Sequence, residues 1–273
     1  MLEAADIGVT LGGKEILRGI SATFRPGALS MIIGPNGSGK TTLLRVLSGA
    51  LRPQRGNVLY NARPSGPDDR VRMARFRGVL AQHADLSFPL TVEDVVMMGR
   101  YPHFAITPTR RDVAICTGAL ERAGIGSLHG RNYLTLSGGE KQMVHLARVL
   151  AQIWERPEEQ CRVLLLDEPL TSLDINHQHH FLEIARSFVQ EGDIVVAVLH
   201  DIHLVAQYAD FILAVKHGTT LAEGATAGII QPGVLSTLFD IQSEVVHTTR
   251  GIVPLFFTDP SKGGEGTASP TRR

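Results

Sequence analysis

A glycine-rich segment between a predicted strand and a predicted helix constrains this chain more than any other feature. The segment reads Gly34-Pro-Asn-Gly-Ser-Gly-Lys-Thr41. Residues 28–33 before it are mostly apolar, as in a buried parallel strand. After it, leucine and valine recur at helical spacing between Leu43 and Leu47, which predicts a helix over residues 41–51. The order of strand, glycine loop and helix is typical of a P-loop, and it predicts an α/β fold with a parallel sheet.

The residue types in this loop suit the binding of nucleotide phosphates. Its glycines permit a path in which successive N–H groups point at phosphate oxygens, and the helix start adds the positive end of its dipole. Lys40 is predicted to reach the β- and γ-phosphates, and the Thr41 hydroxyl to bind Mg²⁺. The predicted nucleotide-binding residues here are Gly34, Pro35, Asn36, Gly37, Ser38, Gly39, Lys40, Thr41 and Thr42. P-loops also occur in kinases and GTPases, so this motif alone does not choose the reaction.

A second motif, Leu136-Ser-Gly-Gly-Glu-Lys-Gln142, opens a predicted helix that runs through Leu150. Ser137 is expected to cap this helix, and the two glycines let its N-terminus approach an anion. An ordinary capped helix would have the same pattern, because Ser and Glu three residues apart form a capping box. Following a P-loop, however, the motif resembles the signature of the ABC ATPases. The resemblance implies that Ser137, Gly138 and Gly139 bind the γ-phosphate of ATP held by a second subunit.

The apolar residues 163–166 form a predicted strand that ends in Asp167 and Glu168. This arrangement resembles the Walker B segment of the same family and its catalytic glutamate. The resemblance implies that Asp167 holds Mg²⁺ through its water shell. It also implies that Glu168 orients or deprotonates the attacking water.

Three further positions resemble family motifs. Asp174 lies in a segment similar to the D-loop, which crosses the dimer interface. His200 directly follows the predicted strand 193–199 and resembles the switch histidine that contacts the γ-phosphate. Gln82 resembles the Q-loop glutamine that touches both the metal and the water. The resemblance therefore implies that Glu168, His200 and Gln82 are catalytic, and that Thr41, Gln82 and Asp167 hold the metal.

The predicted fold class is α/β: a P-loop NTPase core of the ABC ATPase type with a parallel sheet, an N-terminal antiparallel β subdomain and an inserted α-helical subdomain. The β subdomain is predicted to begin with strands over residues 7–11 and 16–24. One domain is expected over residues 1–260. Residues 1–82 and 155–260 would form the nucleotide-binding core, and residues 83–154 the helical subdomain with the signature motif. Residues 261–273 are rich in Gly, Ser, Thr and Pro and are expected to be disordered.

The amino-acid composition limits the classes of partner and the location expected for this chain. Lys plus Arg and Asp plus Glu both number 27, so no overall field would recruit nucleic acid, and none is expected as a partner. The longest apolar run, Ile194–Leu199, is far shorter than the roughly 20 residues of a membrane span, which predicts a cytoplasmic protein. Cys116 and Cys161 have neither disulfide nor metal-ligand spacing and are expected to be reduced.

One P-loop and one signature imply a homodimer, because a single cassette cannot complete its own ATP site. Two-cassette translation factors are therefore poor matches. DNA-repair members of the family carry long coiled coils, and no sustained heptad fits between Gln82 and Ser137. A non-transport ATP-dependent switch protein stays open, whereas a small-molecule kinase is disfavoured by the signature.

Residues 90–103 are similar to the metal-chelate importers, and residues 173–178 with the loop around Trp154 resemble the bacterial heme-importer ATPases. This resemblance implies heme uptake driven by a dimer on two permease subunits, at the cytoplasmic face of the inner membrane. A periplasmic substrate-binding protein would act indirectly. Ferric-siderophore or vitamin B12 import is the alternative within transport.

Two features depart from the family or invite another interpretation. Leu11 lies where most ABC ATPases have an aromatic residue that stacks on adenine, so stacking is not carried over to this position. Histidines 177, 179 and 180 could suggest heme or metal ligation. A solvated or interface helix start is the preferred interpretation, because an imported ligand passes through the permease.

Overall fold

The computed structural model describes residues 1–64, 70–82, 86–158, 160–249 and 251–258. The strands described are β1 (Leu2–Leu11), β2 (Lys14–Phe24), β3 (Leu29–Ile33), β4 (Arg55–Tyr60), β5 (Arg63–Pro64), β6 (Arg77–Leu80), β7 (Val163–Asp167), β8 (Ile194–Val198), β9 (Phe211–Lys216), β10 (Thr219–Ala225), β11 (Gln242–Thr248) and β12 (Gly251–Phe257). The helices described are α1 (Lys40–Leu47), α2 (Arg70–Ala74), α3 (Val92–Met97), α4 (Arg110–Arg122), α5 (Gly138–Gln152), α6 (Ile175–Gln190), α7 (Ile202–Tyr208), α8 (Thr226–Ile229) and α9 (Pro232–Phe239). The predicted disordered tail lies outside the described residues.

The central sheet has the strand order β10-β9-β3-β8-β7-β6. Its strands pair in parallel except for β10, which pairs antiparallel with β9 at the edge. Every residue of β3, β7 and β8 is buried, because helices or a second sheet cover both faces. Since parallel strands end at one edge of a sheet, the residues that follow β3, β6, β7 and β8 meet there.

The N-terminal strands form the predicted antiparallel sheet, in the order β2-β1-β4-β5. Strand β1 begins at Leu2, whereas the sequence pattern placed the start of the strand at Ile7. Asp6 has a left-handed φ of 51°, and the register with β2 shifts between Ala4 and Ile7. This bulge interrupts the alternation of inward and outward residues, which hid the first half of the strand.

Alternate residues of β3 supply two cores. Ile32 belongs to a core shared with α1 and the antiparallel sheet, whereas Leu29, Met31 and Ile33 face the core built by α3 to α7. The central sheet is therefore the middle layer of three.

The helical insertion consists of α3, α4 and α5, which pack on one another. Thr91, Thr109 and Ser137 begin these helices, and each forms a capping box with the acidic residue three positions later. All three helices lie within the predicted 83–154 segment, whose boundaries stay a prediction. Among the described residues, none of the helices combines the length and the apolar character needed to cross a membrane.

Helix α1 ends at Leu47, four residues before the predicted end at residue 51. Gly49 follows in a left-handed conformation with φ of 69°, which turns the chain out of the helix. Beyond His200 the sequence pattern had not resolved individual elements. There β11 and β12 form a hairpin that packs against α7 and α9.

Candidate nucleotide-binding and catalytic site

The predicted P-loop connects β3 to α1 along a path that only glycine adopts without strain at three positions. Gly34, Gly37 and Gly39 have φ of 152°, 76° and 106°. A Cβ at Gly34 would lie 2.1 Å from the Val215 carbonyl oxygen, and one at Gly39 would lie 2.6 Å from Leu17 Cδ2. A Cβ at Gly37 would meet nothing within 4 Å. Neighbouring strands thus fix both ends of the loop, and its tip stays open for a ligand.

The other loop residues divide into an exposed tip and a buried base. Asn36 is exposed, Pro35 and Thr42 are half-buried, and Ser38 is buried. The Ser38 N–H donates to the Pro35 carbonyl at 3.2 Å, but its hydroxyl has no hydrogen-bond partner among the described residues. Because buried hydroxyls are normally paired, this hydroxyl is available to donate to a bound anion or to its water shell.

Lys40 is the first residue of α1, and its side chain folds back over the loop. Its Nζ donates to the carbonyl oxygens of Gly34 at 2.9 Å and Pro35 at 3.0 Å. Burial lowers the pKa of Lys40, and the charges of Glu168 and Asp167 oppose that shift. A cation is therefore held against the phosphate-binding face of the loop.

Thr41 and Asp167 place two oxygen atoms side by side, next to Lys40. The Thr41 hydroxyl donates to Asp167 Oδ1 at 3.1 Å, across the gap between α1 and the end of β7. Burial raises the pKa of Asp167, the Thr41 hydrogen bond lowers it, and the Glu168 charge raises it further. A cation bound beside Asp167 would stabilise the charged form of this buried carboxylate.

The Thr41 hydroxyl and the Asp167 carboxylate are suitable ligands for Mg²⁺. A hydroxyl and one carboxylate oxygen are hard ligands, and Mg²⁺ normally completes its shell with phosphate oxygens and water. No group of three or more His, Cys, Asp or Glu side chains in the described part of the chain could hold a metal by itself. The third predicted metal ligand, Gln82, directs its amide nitrogen at Glu168 instead of at Asp167.

The three predicted catalytic residues meet at one carboxylate. Gln82 Nε2 donates to Glu168 Oε2 at 2.7 Å, and His200 Nε2 lies 2.5 Å from Glu168 Oε1. Glu168 is one of the few non-glycine residues with positive φ, at 48°, and its N–H donates to the Val198 carbonyl at 3.1 Å. Such strained backbone is concentrated at functional sites, where the surroundings hold it. Here the neighbouring strand supplies part of that constraint.

The predicted signature begins α5, as expected. Ser137 Oγ accepts from the Glu140 N–H at 3.2 Å, and Glu140 Oε2 accepts from the Ser137 N–H at 2.7 Å. Hydrogen bonds to the Glu140 carboxylate from the backbone N–H and the side chain of Ser137 lower the pKa of Glu140. Gly138 and Gly139 lie against the loop that carries Ser172: a Cβ at Gly139 would be 3.1 Å from the Ser172 carbonyl oxygen. Because the two segments approach so closely, small residues are needed at positions 138 and 139, opposite the loop that follows Glu168.

Asp174 caps α6. Its Oδ1 accepts from the His177 N–H at 2.9 Å and lies 2.9 Å from His177 Nδ1. The backbone hydrogen bond from His177 is the largest cause of the lowered pKa of Asp174. Within the described residues, the hydrogen bonds of Ser137 and Asp174 stay inside their own helix starts. The structure thus brings the P-loop, Asp167, Glu168, Gln82 and His200 together, and leaves the signature and Asp174 outside that cluster.

Two supporting contacts were missed from the sequence. Gln142 Nε2 donates to the Pro169 carbonyl at 2.9 Å, so α5 is attached to the turn after Glu168. Gly218, in the β9–β10 turn, donates its N–H to the Ser38 carbonyl at 3.0 Å. The only available signal was the His-Gly pair at 217 and 218, which indicates a turn without revealing its neighbour.

The neighbours of the loop on the N-terminal hairpin, Leu17 and Ile16, are aliphatic. Leu11 ends β1 with 40% of its surface exposed. Ile16 lies where the β1–β2 register shifts, and its Cγ2 would be 3.7 Å from a Cβ at Gly39. Of the three clustered histidines, His177 binds Asp174, and His179 Nδ1 lies 2.7 Å from the Tyr208 hydroxyl. Both cysteines are free, as predicted.

Comparison with known proteins identifies the family. The ABC transporter family model matches residues 17–171. The hemin import ATP-binding protein HmuV of Gloeobacter violaceus is 45% identical over 255 residues, which cover 93% of each chain. The HmuV protein of Pseudomonas aeruginosa is 42% identical over 92% of this chain and 97% of its own.

Solved structures share the fold. A metal-chelate type ABC transporter in an inward-facing conformation superimposes with a TM-score of 0.77 at 24% identity, over 94% of this chain and 96% of its own. A bacterial ABC transporter cassette solved as a dimer has a TM-score of 0.71 at 24% identity, over 83% and 99%. The resemblance inferred from the P-loop and the signature is thus confirmed: the chain belongs to the ABC transporter family, in which it is an ATPase cassette.

Proposed function

We propose that this protein is the ATP-hydrolysing subunit of an importer that carries hemin across the bacterial inner membrane. The observation that carries the hydrolytic role is the Glu168 carboxylate held between Gln82 and His200, next to Lys40 and Asp167. The choice of hemin rests on the relatives at 38–45% identity, which are named for hemin import.

The P-loop N–H groups and Lys40 bind the β- and γ-phosphates. The Lys40 ammonium already lies over the loop, so its two carbonyl partners are exchanged for phosphate oxygens when ATP arrives. Thr41 and Asp167 would hold Mg²⁺, and Gln82 would be a further ligand through its amide oxygen, since its amide nitrogen donates to Glu168. When bound, Mg²⁺ neutralises charge that develops on the phosphate oxygens.

Glu168 accepts a proton from the attacking water while the water oxygen bonds to the γ-phosphorus. The bond from that phosphorus to the bridging oxygen breaks in the same step, and the bridging oxygen leaves with ADP. In the structure both oxygens of its carboxylate are occupied, one by Gln82 and one by His200. Each oxygen keeps a second lone pair for the water, and release of one of these side chains would open the carboxylate further. His200 is the better candidate for release, because its side chain is 41% exposed.

The complete site needs a second copy. Ser137, Gly138, Gly139 and Asp174 stay outside the cluster within one chain, so they are free to meet the ATP of a partner copy. Exposed apolar side chains lie beside both the signature and Asp174. Ile175, next to Asp174, is 73% exposed, and Leu134, before Ser137, is 42% exposed. Exposed apolar residues around polar half-sites suit an interface, so we propose a homodimer.

A groove beside the helical insertion suits the permease. It has a volume of about 630 Å³ and is lined by Val71, Ala74, Arg75, Tyr101, Pro102, His103, Phe104 and Ala105. Val71 and Tyr101 are 66% and 61% exposed, and Arg75 Nε donates to the Pro102 carbonyl at 2.9 Å, which joins the two walls. An apolar floor with a basic rim fits an amphipathic segment of a membrane protein. A dimer offers two such grooves, one for each permease subunit.

This assembly places the protein at the cytoplasmic face of the inner membrane, with a periplasmic binding protein acting only through the permease. The test is uptake into vesicles that contain the complete complex, with hemin, a ferric siderophore and cobalamin compared. ATP-dependent hemin uptake that disappears with Glu168→Gln supports the proposal. Preference for either other chelate, or the lack of any co-purifying membrane partner, would contradict it.

A further inference from the structure

Phe188 lies between two guanidinium groups. The Cζ atoms of Arg122 and Arg162 are each 4.5 Å from the centre of its ring. Glu191 bridges the same two arginines: its Oε1 is 2.7 Å from Arg122 Nη2, and its Oε2 pairs with Arg162 Nη2. We call Arg122, Arg162, Phe188 and Glu191 the Phe188 cluster.

The Phe188 cluster joins the helical insertion to the nucleotide-binding core. Arg122 belongs to the last turn of α4, Phe188 lies on α6, Glu191 caps the end of α6, and Arg162 precedes β7. Helix α4 packs mainly on α3 and α5, whereas α6 packs mainly on β3 and β8. Long side chains, and not closely packed backbones, therefore connect α4 to α6.

The core side of the cluster is anchored. The Arg162 side chain is only 5% exposed, and its Nε donates at 2.8 Å to Asp193, whose side chain is fully buried. Burial opposes ionisation of Glu191, but hydrogen bonding to Arg162 and the charge of Arg122 outweigh it and lower the pKa of Glu191. The core therefore presents a rigid group of charged side chains, formed by Arg162, Asp193 and Glu191.

Arg122 makes three contacts with the C-terminal part of α6 and its cap. It stacks on Phe188, pairs with Glu191 and donates from Nη2 to Ser187 Oγ at 2.7 Å. A planar guanidinium can stack and donate in its plane at the same time, which a lysine ammonium cannot do. The three contacts lie on neighbouring positions of α6, so they define an orientation as well as a distance.

A second contact lies about two turns away from the cluster in α6. Gly124 follows α4 with φ of 72°, and a Cβ there would be 2.8 Å from His180 Nε2. The end of α4 therefore approaches α6 at two points, near His180 and near Ser187. Rotation of α4 about one of these points strains the other.

We propose that Arg122 is a positioning residue for ATP hydrolysis, which fixes the angle between the helical insertion and the core. Helix α4 packs on α5, and α5 begins at Ser137. Loss of the Arg122 contacts lets α4 and α5 rotate together, and this moves Ser137 relative to the P-loop face of the same copy. The inference rests on the proposed dimer, in which Ser137 meets the partner's ATP.

The chain contains a matched control. Arg186 also lies on α6, pairs with Asp210 at 2.7 Å and has a side chain 26% exposed, against 25% for Arg122. Its partner Asp210 bonds the N–H of Leu29 in β3, so this ion pair joins core elements only. Arg122→Ala and Arg186→Ala thus remove similar ion pairs, and only the first connects to the helical insertion.

The experiment measures ATP affinity, ATPase kcat and Tm for the full chain and both variants. We expect Arg122→Ala to lower kcat about 10- to 100-fold, as for a misplaced reacting group, with the Kd for ATP within about 2-fold of the original. Arg186→Ala should lower Tm similarly and leave kcat within about 2-fold. Equal kcat in the two variants, or a matching loss of ATP affinity in Arg122→Ala, would overturn the inference.

Ser187→Ala keeps the test decisive if Arg122→Ala does not fold. It removes the hydrogen bond from Arg122 Nη2 and a second one, within α6, from Ser187 Oγ to the Ile184 carbonyl. Only the first reaches the helical insertion, and its loss should lower kcat about 2- to 10-fold at unchanged Kd. Unchanged kcat in that case would count against Arg122 as a positioning residue. The unmodified chain serves as the reference for the proposed function: if it does not hydrolyse ATP at all, the proposed function fails, whereas active reference protein with indifferent variants rejects only this inference.

Discussion

Gln82 and Glu168 follow the adjacent strands β6 and β7, and their side chains are joined by a hydrogen bond of 2.7 Å. The pair connects the start of the helical insertion to the carboxylate proposed to activate water. Any displacement of Gln82 therefore changes the environment of the predicted catalytic group.

The Glu168→Gln variant should bind ATP but not hydrolyse it. Glutamine keeps the volume and can accept a hydrogen bond, but it cannot take a proton from water. We expect ATP turnover to fall at least about 100-fold. Size-exclusion chromatography should show a shift from monomer to dimer with ATP and Mg²⁺ and none with ADP. Turnover at the original rate would place the catalytic carboxylate elsewhere, with Asp174 the next to examine.

The Lys40→Ala variant should lose both nucleotide affinity and turnover. The ammonium is the cation closest to the loop carbonyls of Gly34 and Pro35, so its removal leaves the phosphates without a charge-assisted donor. We expect ATP to bind at least about 10-fold more weakly in calorimetry. Lys14→Ala, on the exposed end of β2, is the control and should bind ATP normally. Normal ATPase activity in Lys40→Ala would reject the site.

The Ser137→Arg variant should separate binding from hydrolysis. The P-loop of the same copy is untouched, so ATP affinity of the monomer should stay within about 2-fold, while the bulky cation blocks the partner's phosphate. Combined with Glu168→Gln, it should abolish the ATP-dependent dimer. Ser137→Ala is the milder comparison and should mainly cost about 1 kcal/mol of stability through loss of the cap. An equal fall in affinity and turnover for Ser137→Arg would mean that Ser137 serves only as a cap.

Asp112 predicts a pH dependence of stability. Burial opposes its ionisation, but hydrogen bonds from Thr109 and Arg100 outweigh it and lower the pKa to about 2, against an ordinary value of 3.8. A lowered folded-state pKa stabilises the protein fully above the unfolded value, and that stabilisation is lost as pH falls from about 4 to about 2. Urea midpoints at pH 5 and pH 3 should show the loss, and Asp112→Asn should reduce it. Equal pH slopes for the two proteins would contradict this account.

Local patterns made much of the site predictable. The loop around Lys40, the strand before Glu168 and the cap at Ser137 are each defined by consecutive residues, so the sequence alone identifies them. The wholly buried β3, β7 and β8 were equally plain, because strands covered on both faces are continuously apolar.

Contacts between distant segments could not be predicted in this way. The approach of Val215 to Gly34, the bond from Gln142 to Pro169 and the stacking of Arg122 on Phe188 each join residues with no shared pattern. The sequence does not distinguish an arginine that stacks on an aromatic ring from one whose side chain is exposed to water. The β1 bulge at Asp6 was missed for a related reason, because one extra residue reverses the alternation that marks a strand.

The register of the central sheet has a consequence for the order in which activity returns on refolding. Leu80 pairs with Leu166, and Asp167 with Val198. Gln82 and Glu168 therefore follow at matching positions, and His200 lies one residue further on, just beyond three neighbouring strands about 4.8 Å apart. These strands are distant in sequence, and parallel pairings of high contact order form slowly. Helix formation should therefore precede the recovery of ATPase activity, and the catalytic cluster should be among the last parts of the molecule to assemble.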